Sequence, residues 1–324
     1  MSVTVRVPAK VNLHLGVGGA GADGFHELAT VFQAVSLYDT VTATPDDALR
    51  ITVSGEDTAG VPLGPGNLAA AAARRVAERL GVEPAVHLHL TKRIPVAGGM
   101  AGGSADAAAA LLACAALWDP ALVADGTPDW LTAVAAGIGS DVPFALLGGN
   151  AVGTGRGERL VPLPGTAAFH WVFAEAGGGL STPAVFAEHD RLGARPRTGS
   201  AHRAPAPPPA GLFDALATGD PHLLAGHLRN DLHAAALSLR PELAETLRLG
   251  RASSALGGLL SGSGPTCAFL AQDAAAAAEL AARLSGSGAC RAVHTAHGPV
   301  GGAAFVPAAD DPAPSRHLIR EGAA

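Results

Sequence analysis

Apolar and polar residues alternate along Val3–Val7, Val11–Val17, Val31–Tyr38 and Asp39–Thr44, with β-branched side chains prominent among them. That period of two predicts four strands, and Val86–Leu90 reads as a fifth. Asn67–Leu80 changes to a helical period, and Gly81 stands where a glycine C-cap ends a helix. A second helix is predicted in the Ala/Leu-rich run Ala107–Trp118. A second lobe is expected after Gly157, with strands around Val161 and at His170–Ala174. Its helices are expected at Thr182–His189, Leu212–Leu216, Pro221–Leu239, Pro241–Leu249 and Ala274–Leu284. Two stretches break the pattern. Arg195–Gly211 holds Pro196, Pro205, Pro207, Pro208 and Pro209, which predicts a flexible surface insertion, and Ala308–Ala324 reads as a polar tail.

Composition narrows this picture. A chain of 324 residues exceeds one ordinary core, so two domains are expected. With 48% hydrophobic but only 4% aromatic residues, its helices must pack through small side chains. The net charge of −6, without any basic stripe, argues against a nucleic-acid partner. Cys114, Cys267 and Cys290 are dispersed, so a zinc site or disulfide framework is not expected and a reducing compartment fits. No charged-then-apolar leader opens the sequence, and the longest apolar helix falls short of the ~20 residues of a membrane span. A cytoplasmic protein with no membrane partner is the expectation.

The candidate chemistry centres on Pro95-Val96-Ala97-Gly98-Gly99-Met100-Ala101-Gly102-Gly103-Ser104-Ala105, which runs into the Ala/Leu helix. Four glycines closed by a helix-capping serine leave main-chain N–H groups bare at a positive helix end, a place for phosphate. A Walker A loop is excluded, because neither of the two lysines, Lys10 and Lys92, follows a glycine. A Rossmann spacing occurs at Gly16, Gly18 and Gly21, but no amphipathic helix follows it, so this segment reads as a flexible turn. Protein-kinase signatures are absent. Ser104 is open to two coexisting roles, an N-cap or a hydroxyl for phosphate or Mg2+. Asp106, in the first turn, is read as a complement to the helix dipole.

Pro8-Ala9-Lys10-Val11-Asn12-Leu13-His14-Leu15, the glycine loop and Ser261-Gly262-Ser263-Gly264-Pro265-Thr266 resemble, in order, the three motifs of the GHMP small-molecule kinases. Ala22–Leu28 and Gly139–Phe144 further resemble the branch whose acceptor is a cytidine diphosphate ester of a sugar alcohol, used in isoprenoid precursor synthesis. The resemblance spans most of residues 4–305. It implies an α+β fold of two lobes, ribosomal-protein-S5-like then ferredoxin-like, with the active site in the cleft between them. Expected bounds are 1–157 for the ATP-binding domain, 158–307 for the C-terminal domain and 308–324 for a flexible tail.

The resemblance also implies roles. Lys10 and Asp141 are the catalytic pair, the loop from Pro95 to Ala105 holds ATP phosphates, and Mg2+ accompanies the ATP with Ser104 as a possible ligand. Asn67 and Leu68 are placed beside adenine, although helix capping accounts for Asn67 equally well. Lys92 and Arg93 flank the strand entering the glycine loop. Asn12, Phe25, His26, Thr182 and Phe186 are expected to hold the acceptor, with Phe25 and Phe186 stacking on its base and His26 at the base edge. Position 25 is Phe where many relatives carry Tyr, which keeps stacking and loses a phenol hydrogen bond. Asn12 lies two residues beyond Lys10 and so shares its strand face. Ser261–Thr266 is read as a brace for the phosphate loop. The alternatives are a homoserine- or mevalonate-type kinase, a non-catalytic nucleotide-binding module, and a dinucleotide-dependent oxidoreductase resting on the Gly16 spacing.

Overall fold

The computed structural model describes residues 2–22, 24–56, 58–193, 204–307 and 320–323. Its first half comprises β1 (Val3–Ala20), β2 (His26–Pro45), β3 (Arg50–Gly55), α1 (Leu68–Leu80), β4 (Val86–Lys92), α2 (Gly102–Trp118), α3 (Asp129–Ile138), α4 (Val142–Leu147), β5 (Asn150–Gly155) and β6 (Arg159–Leu163). The second half comprises β7 (Phe169–Glu175), α5 (Thr182–Gly193), α6 (Ala210–Thr218), α7 (Pro221–Ala225), β8 (Arg229–Asn230), α8 (His233–Leu239), α9 (Leu243–Ala252), β9 (Gly257–Leu260), β10 (Cys267–Ala271), α10 (Ala274–Gly286), β11 (Ala292–Gly298), β12 (Ala304–Phe305) and β13 (Arg320–Ala323). A nine-stranded sheet runs β12-β1-β2-β4-β3-β13, with β5 and β6 extending from β2 and β8 parallel to β1. The second sheet is antiparallel in the order β11-β7-β10-β9.

The four predicted N-terminal strands are two long ones, β1 of 18 residues and β2 of 20, paired antiparallel along most of their length. A register shift between Pro8 and Ala9 absorbs the proline, which has no N–H to give the ladder, so the strand bends and continues. Gly16 and Gly18 therefore sit inside β1, not in a turn. An added Cβ on Gly16 would lie 2.2 Å from the carbonyl oxygen of Ala206, so the absence of a side chain lets the Ala206 backbone lie directly on the strand. His14 Nε2 reaches the same carbonyl at 2.9 Å, and burial pushes the His14 pKa down. The proline-rich stretch, expected to be a flexible insertion, is thus anchored on β1 at Ala206; residues 194–203 lie outside the described residues.

Helix α2 accounts for the alanine-rich composition. Thirteen of its 17 residues are buried, and small side chains let α1, α4 and the β1–β2 ribbon close around it. A helix that is apolar all round belongs inside, and this one runs through the core from the glycine loop. The first sheet and these helices share the main apolar cluster, whereas β7, β10, α5, α8, α9 and α10 enclose a second. Trp171 on β7 joins the two sheets by donating from Nε1 to Gln33 Oε1 on β2 at 2.8 Å.

Three further expectations are corrected. Strand β6, which contains Val161, pairs with β5 in the first sheet and does not open the second. The predicted helix Pro221–Leu239 is divided into α7, β8 and α8, because Asn230 turns inward to donate from Nδ2 to the carbonyls of Leu260 and Gly262 at 2.7 Å each. At the end of the chain, Arg320–Ala323 pairs with β3 instead of continuing as a tail, while 308–319 lie outside the described residues.

Candidate active site

The glycine loop delivers an open helix end to a cleft. Helix α2 starts at Gly102 with Ala101 as its N-cap, in a left-handed conformation (φ 63°) and with no side-chain cap hydrogen bond. Ser104 is consequently not the cap, as one reading had it. It lies within the first turn and faces the cleft beside Gly102 and Gly103. The uncapped N–H groups of that turn and the positive helix end are available to an anion.

The segment Ser261–Thr266 holds the loop in shape. Ser261 Oγ donates to the Gly99 carbonyl at 3.1 Å, and Thr266 N donates to the Gly98 carbonyl at 3.3 Å. Gly99 has a positive φ of 77°, and a Cβ there would stand 2.1 Å from the Ser261 carbonyl oxygen. Gly99→Ala therefore strains the backbone and displaces the brace. The expected result is a lower melting temperature with a rise of roughly tenfold in the KM for ATP. An unchanged KM and melting temperature would remove the brace from the account.

Both stems of the loop are tied to one buried ion triad. Asp39 on β2 accepts through Oδ1 from the N–H groups of Arg93 and Ile94 at 2.6 and 2.9 Å, holding the incoming strand. Lys92 bonds to Asp39 Oδ2, to Asp106 Oδ2 at 2.5 Å and to the Gly102 carbonyl at 3.4 Å, holding the outgoing helix. Burial opposes the charge on Lys92, but the two carboxylates outweigh it and raise its pKa. Burial also pushes the Asp106 carboxyl up to about 7, with Lys92 opposing the rise and Asp39 adding to it. Asp106 is thus a buried partner of Lys92 that lies beyond the first turn of α2, not in the first turn where a dipole complement was expected. Arg93 lines a separate hollow with Arg6 and Tyr38.

Lys10 projects from β1 into the cleft, 93% excluded from solvent at its side chain, with its Nζ 3.6 Å from Asp141 Oδ2. It donates to Asn12 Oδ1 at 2.7 Å, Asn12 Nδ2 donates to Thr30 Oγ1 at 2.8 Å, and Thr30 donates to the His14 carbonyl at 2.7 Å. This chain fixes the direction of the ammonium. Asp141 precedes α4 and makes no side-chain cap bond with it, so its carboxylate, 29% exposed, is directed to the cleft instead of serving the helix.

The cleft has a volume of about 870 Å3, and its far end is aromatic. His26 and Phe186 pack ring on ring with centroids 4.8 Å apart, and His26 Nε2 lies 2.9 Å from Asp190 Oδ1. Phe25 is 52% exposed and carries the Arg156 guanidinium 4.8 Å above its ring. Thr182 Oγ1 sits 2.8 Å from Ser263 Oγ on the same wall. Of the anticipated residues, Lys10, Asn12, Phe25, His26, Leu68, Ala97, Gly98, Gly99, Ala101, Gly102, Gly103, Ser104, Asp141, Thr182 and Phe186 come together around this space. Pro95, Val96, Met100 and Ala105 do not line the cleft, and of these Pro95, Met100 and Ala105 are buried, Met100 wholly. Asn67 caps α1, accepting from Ala69 N at 2.8 Å and donating to the Pro62 carbonyl at 2.6 Å, so the capping alternative accounts for it. Sequence reasoning missed Arg156, Asp190, Ser140 and Leu180. Only the placing of Arg156 between Gly155 and Gly157 marked it as a turn residue aimed outward.

An uncapped helix start on a glycine loop, a lysine–aspartate pair and an aromatic pocket sharing one cleft are the arrangement of a small-molecule phosphotransferase. Residues 67–149 match the GHMP kinases N terminal domain, and residues 212–290 match the GHMP kinases C terminal domain. The 4-diphosphocytidyl-2-C-methyl-D-erythritol kinase of Streptomyces coelicolor is 59% identical over 304 residues, 94% of this chain and 99% of that protein. The Nocardia farcinica protein of the same name is 56% identical, over 94% of this chain and 96% of its own. A crystal structure of 4-(cytidine 5'-diphospho)-2C-methyl-D-erythritol kinase has a TM-score of 0.72 at 34% identity, covering 92% of this chain and 100% of that one. Homoserine kinase from Cytophaga hutchinsonii, at 20% identity and a TM-score of 0.65, shares the fold. The chain belongs to the GHMP kinases and, within them, to the 4-diphosphocytidyl-2-C-methyl-D-erythritol kinase family.

Proposed function

We propose that this chain transfers the terminal phosphoryl group of ATP to the 2-hydroxyl of 4-diphosphocytidyl-2-C-methyl-D-erythritol, yielding the 2-phosphate and ADP in the non-mevalonate route to isoprenoid precursors. The observation that carries it is the single cleft in which the glycine loop, the Lys10–Asp141 pair and the His26–Phe186–Phe25 aromatic end adjoin. Homoserine and mevalonate contain no base, so neither gives those rings a function. A pure nucleotide binder needs no Lys10–Asp141 pair.

The transition state of phosphoryl transfer is loose, and the protein's task is to position reactants and stabilise charge. Main-chain N–H groups from Gly98 to Ser104 grip the nucleotide's phosphates, with the α2 dipole behind them. Asp141 accepts a hydrogen bond from the attacking hydroxyl and takes its proton as the new P–O bond forms. Lys10 steadies that carboxylate and the transferring oxygens, while Asn12 orients both the lysine and the sugar alcohol. His26 and Phe186 hold the base.

Mg2+ is part of the proposal. Among the described residues no cluster of three His, Cys, Asp or Glu side chains forms a metal cage. That suits a cation carried on the nucleotide's own phosphates with one or two protein oxygens, and Ser104 with Asp141 present such oxygens to the cleft. When bound, the ion neutralises phosphate charge.

We assign the protein to the cytoplasm. Among the described residues no helix is long and apolar enough to cross a membrane. Burial raises the pKa of Cys114 and pushes that of Cys267 up to about 12, so these two are structural thiols.

The test is an ADP-release assay with Mg-ATP, offering the cytidylylated methylerythritol, homoserine and mevalonate in parallel. Turnover with the first alone is expected. Turnover only with homoserine or mevalonate would keep the kinase and overturn the substrate.

A further inference from the structure

Asp39 and Lys92 turn into the core to form the ion triad, so their neighbours along β2 and β4 present their side chains to the opposite face of the sheet. That face has its own hollow. The strand register sets Arg6 on β1 opposite Thr40 on β2, and Thr40 opposite Thr91 on β4, which gives a polar row across three strands. Arg93, just beyond β4, and Tyr38 line the same space of about 340 Å3, with Phe305, Val306 and Pro307 supplying an apolar side. None of these residues lines the cleft.

Among the described residues no carboxylate meets the guanidinium of Arg6 or Arg93, and the Tyr38 phenol has no hydrogen-bond partner. Two cations sharing one hollow repel each other. Arg6 is nevertheless held, with its guanidinium 4.5 Å from the centre of the Tyr38 ring. Burial raises the Tyr38 pKa, with Arg6 opposing the rise, so the phenol keeps its proton and remains a donor. Beside these groups Phe305 is 43% exposed, an apolar surface that is costly to leave in water. A ligand with an anionic end and an apolar body answers both features.

Charge narrows its class. A carboxylate neutralises one guanidinium, whereas a phosphate monoester carries close to two negative charges at neutral pH and offers three oxygens to two planar forks. The space is less than half the 870 Å3 of the cleft, which limits the ligand to something smaller than a nucleotide with its phosphates.

We propose that this hollow is a second binding site, for a small organic phosphate whose dianion is held by Arg6 and Arg93 and whose carbon portion lies against Phe305. The site goes beyond the phosphotransfer reading and does not depend on which acceptor the cleft takes.

The test is calorimetry on the full-length protein with Mg-ADP saturating the glycine loop, using phenyl phosphate as the probe, and inorganic phosphate and benzoate as controls that lack its ring or its second charge. One phenyl phosphate per chain is expected to bind, with each control at least roughly tenfold weaker. Arg6→Gln and Arg93→Gln should each weaken phenyl phosphate roughly ten- to a hundredfold. Arg6→Gln should keep the wild-type affinity for Mg-ADP, which shows that the variant is folded. Affinity indifferent to both substitutions, displacement of the probe by further Mg-ADP, or no binding at all would each overturn the proposal. Asp310 and Asp311 follow Pro307 closely in the sequence, so the protein carrying both Asp310→Asn and Asp311→Asn is measured as well. Binding that arises only in that variant would make the chain's own carboxylates the occupant and overturn the proposal too.

Discussion

Asp141→Asn is expected to lower kcat by roughly 10²–10⁴-fold with the KM for ATP unchanged. The substitution keeps the shape of the side chain and removes its ability to take a proton. It does not disturb α4, because Asp141 contributes no side-chain cap bond there. The loss therefore falls on chemistry and not on folding. Lys10→Met is expected to depress kcat too, for a different reason: it leaves the carboxylate without the ammonium 3.6 Å away and frees Asn12 from its 2.7 Å bond. The two together should cost much less than the product of their separate losses, since each acts through the other. Single-turnover rates with saturating Mg-ATP make the measurement. A parallel collapse of ATP affinity in Asp141→Asn would show that the aspartate shapes the nucleotide site instead of handling the acceptor's proton.

The contrast between that pair and the loop shows what a sequence makes visible. Gly98 to Ser104 was readable because its chemistry belongs to the main chain, and glycine spacing at a helix start is a local signal. Lys10 and Asp141 stand 131 positions apart, and no local rule joins them; only motif resemblance did. The aromatic end was legible in the same indirect way, through Phe25, His26 and Phe186. Arg156 was not, because a lone arginine in a glycine turn looks like any solvated loop residue. Nor were the long strands, since the proline at position 8 looks like a stop until its register shift is seen. The break at Asn230 is likewise tertiary, made by carbonyls of Leu260 and Gly262 that lie thirty residues away or more. Deepest hidden was the Asp39–Lys92–Asp106 triad, because charged residues read by default as surface.

That triad carries the second large effect. Lys92→Met leaves two carboxylates facing each other in a site where Lys92 is 2% exposed and Asp39 fully buried. Removing one partner of a buried ion cluster costs about 3–5 kcal/mol, and in a protein of this size the melting temperature should fall on the order of 10 °C. Asp39→Asn should destabilise for a related reason: Asp39 also ties down the Arg93 and Ile94 N–H groups, so both loop stems loosen together.

Asp106→Asn should behave oppositely. With its pKa raised to about 7, Asp106 keeps its proton in the folded protein over a range where the unfolded chain has lost it. From about pH 4 to 7 the unfolded state binds fewer protons, so this group's contribution to stability declines as pH rises and is flat above. An asparagine mimics the protonated acid, accepting from Lys92 and donating to Asp39. Its melting temperature should lose that part of the pH slope and match or exceed wild type at pH 8. Melting curves of the wild-type, Asp106→Asn and Lys92→Met proteins from pH 5 to 8 decide the matter. An asparagine variant with the wild-type slope would mean that Asp106 is ionised across this range and that the triad carries a net negative charge at the root of the phosphate loop, where it would oppose the nucleotide.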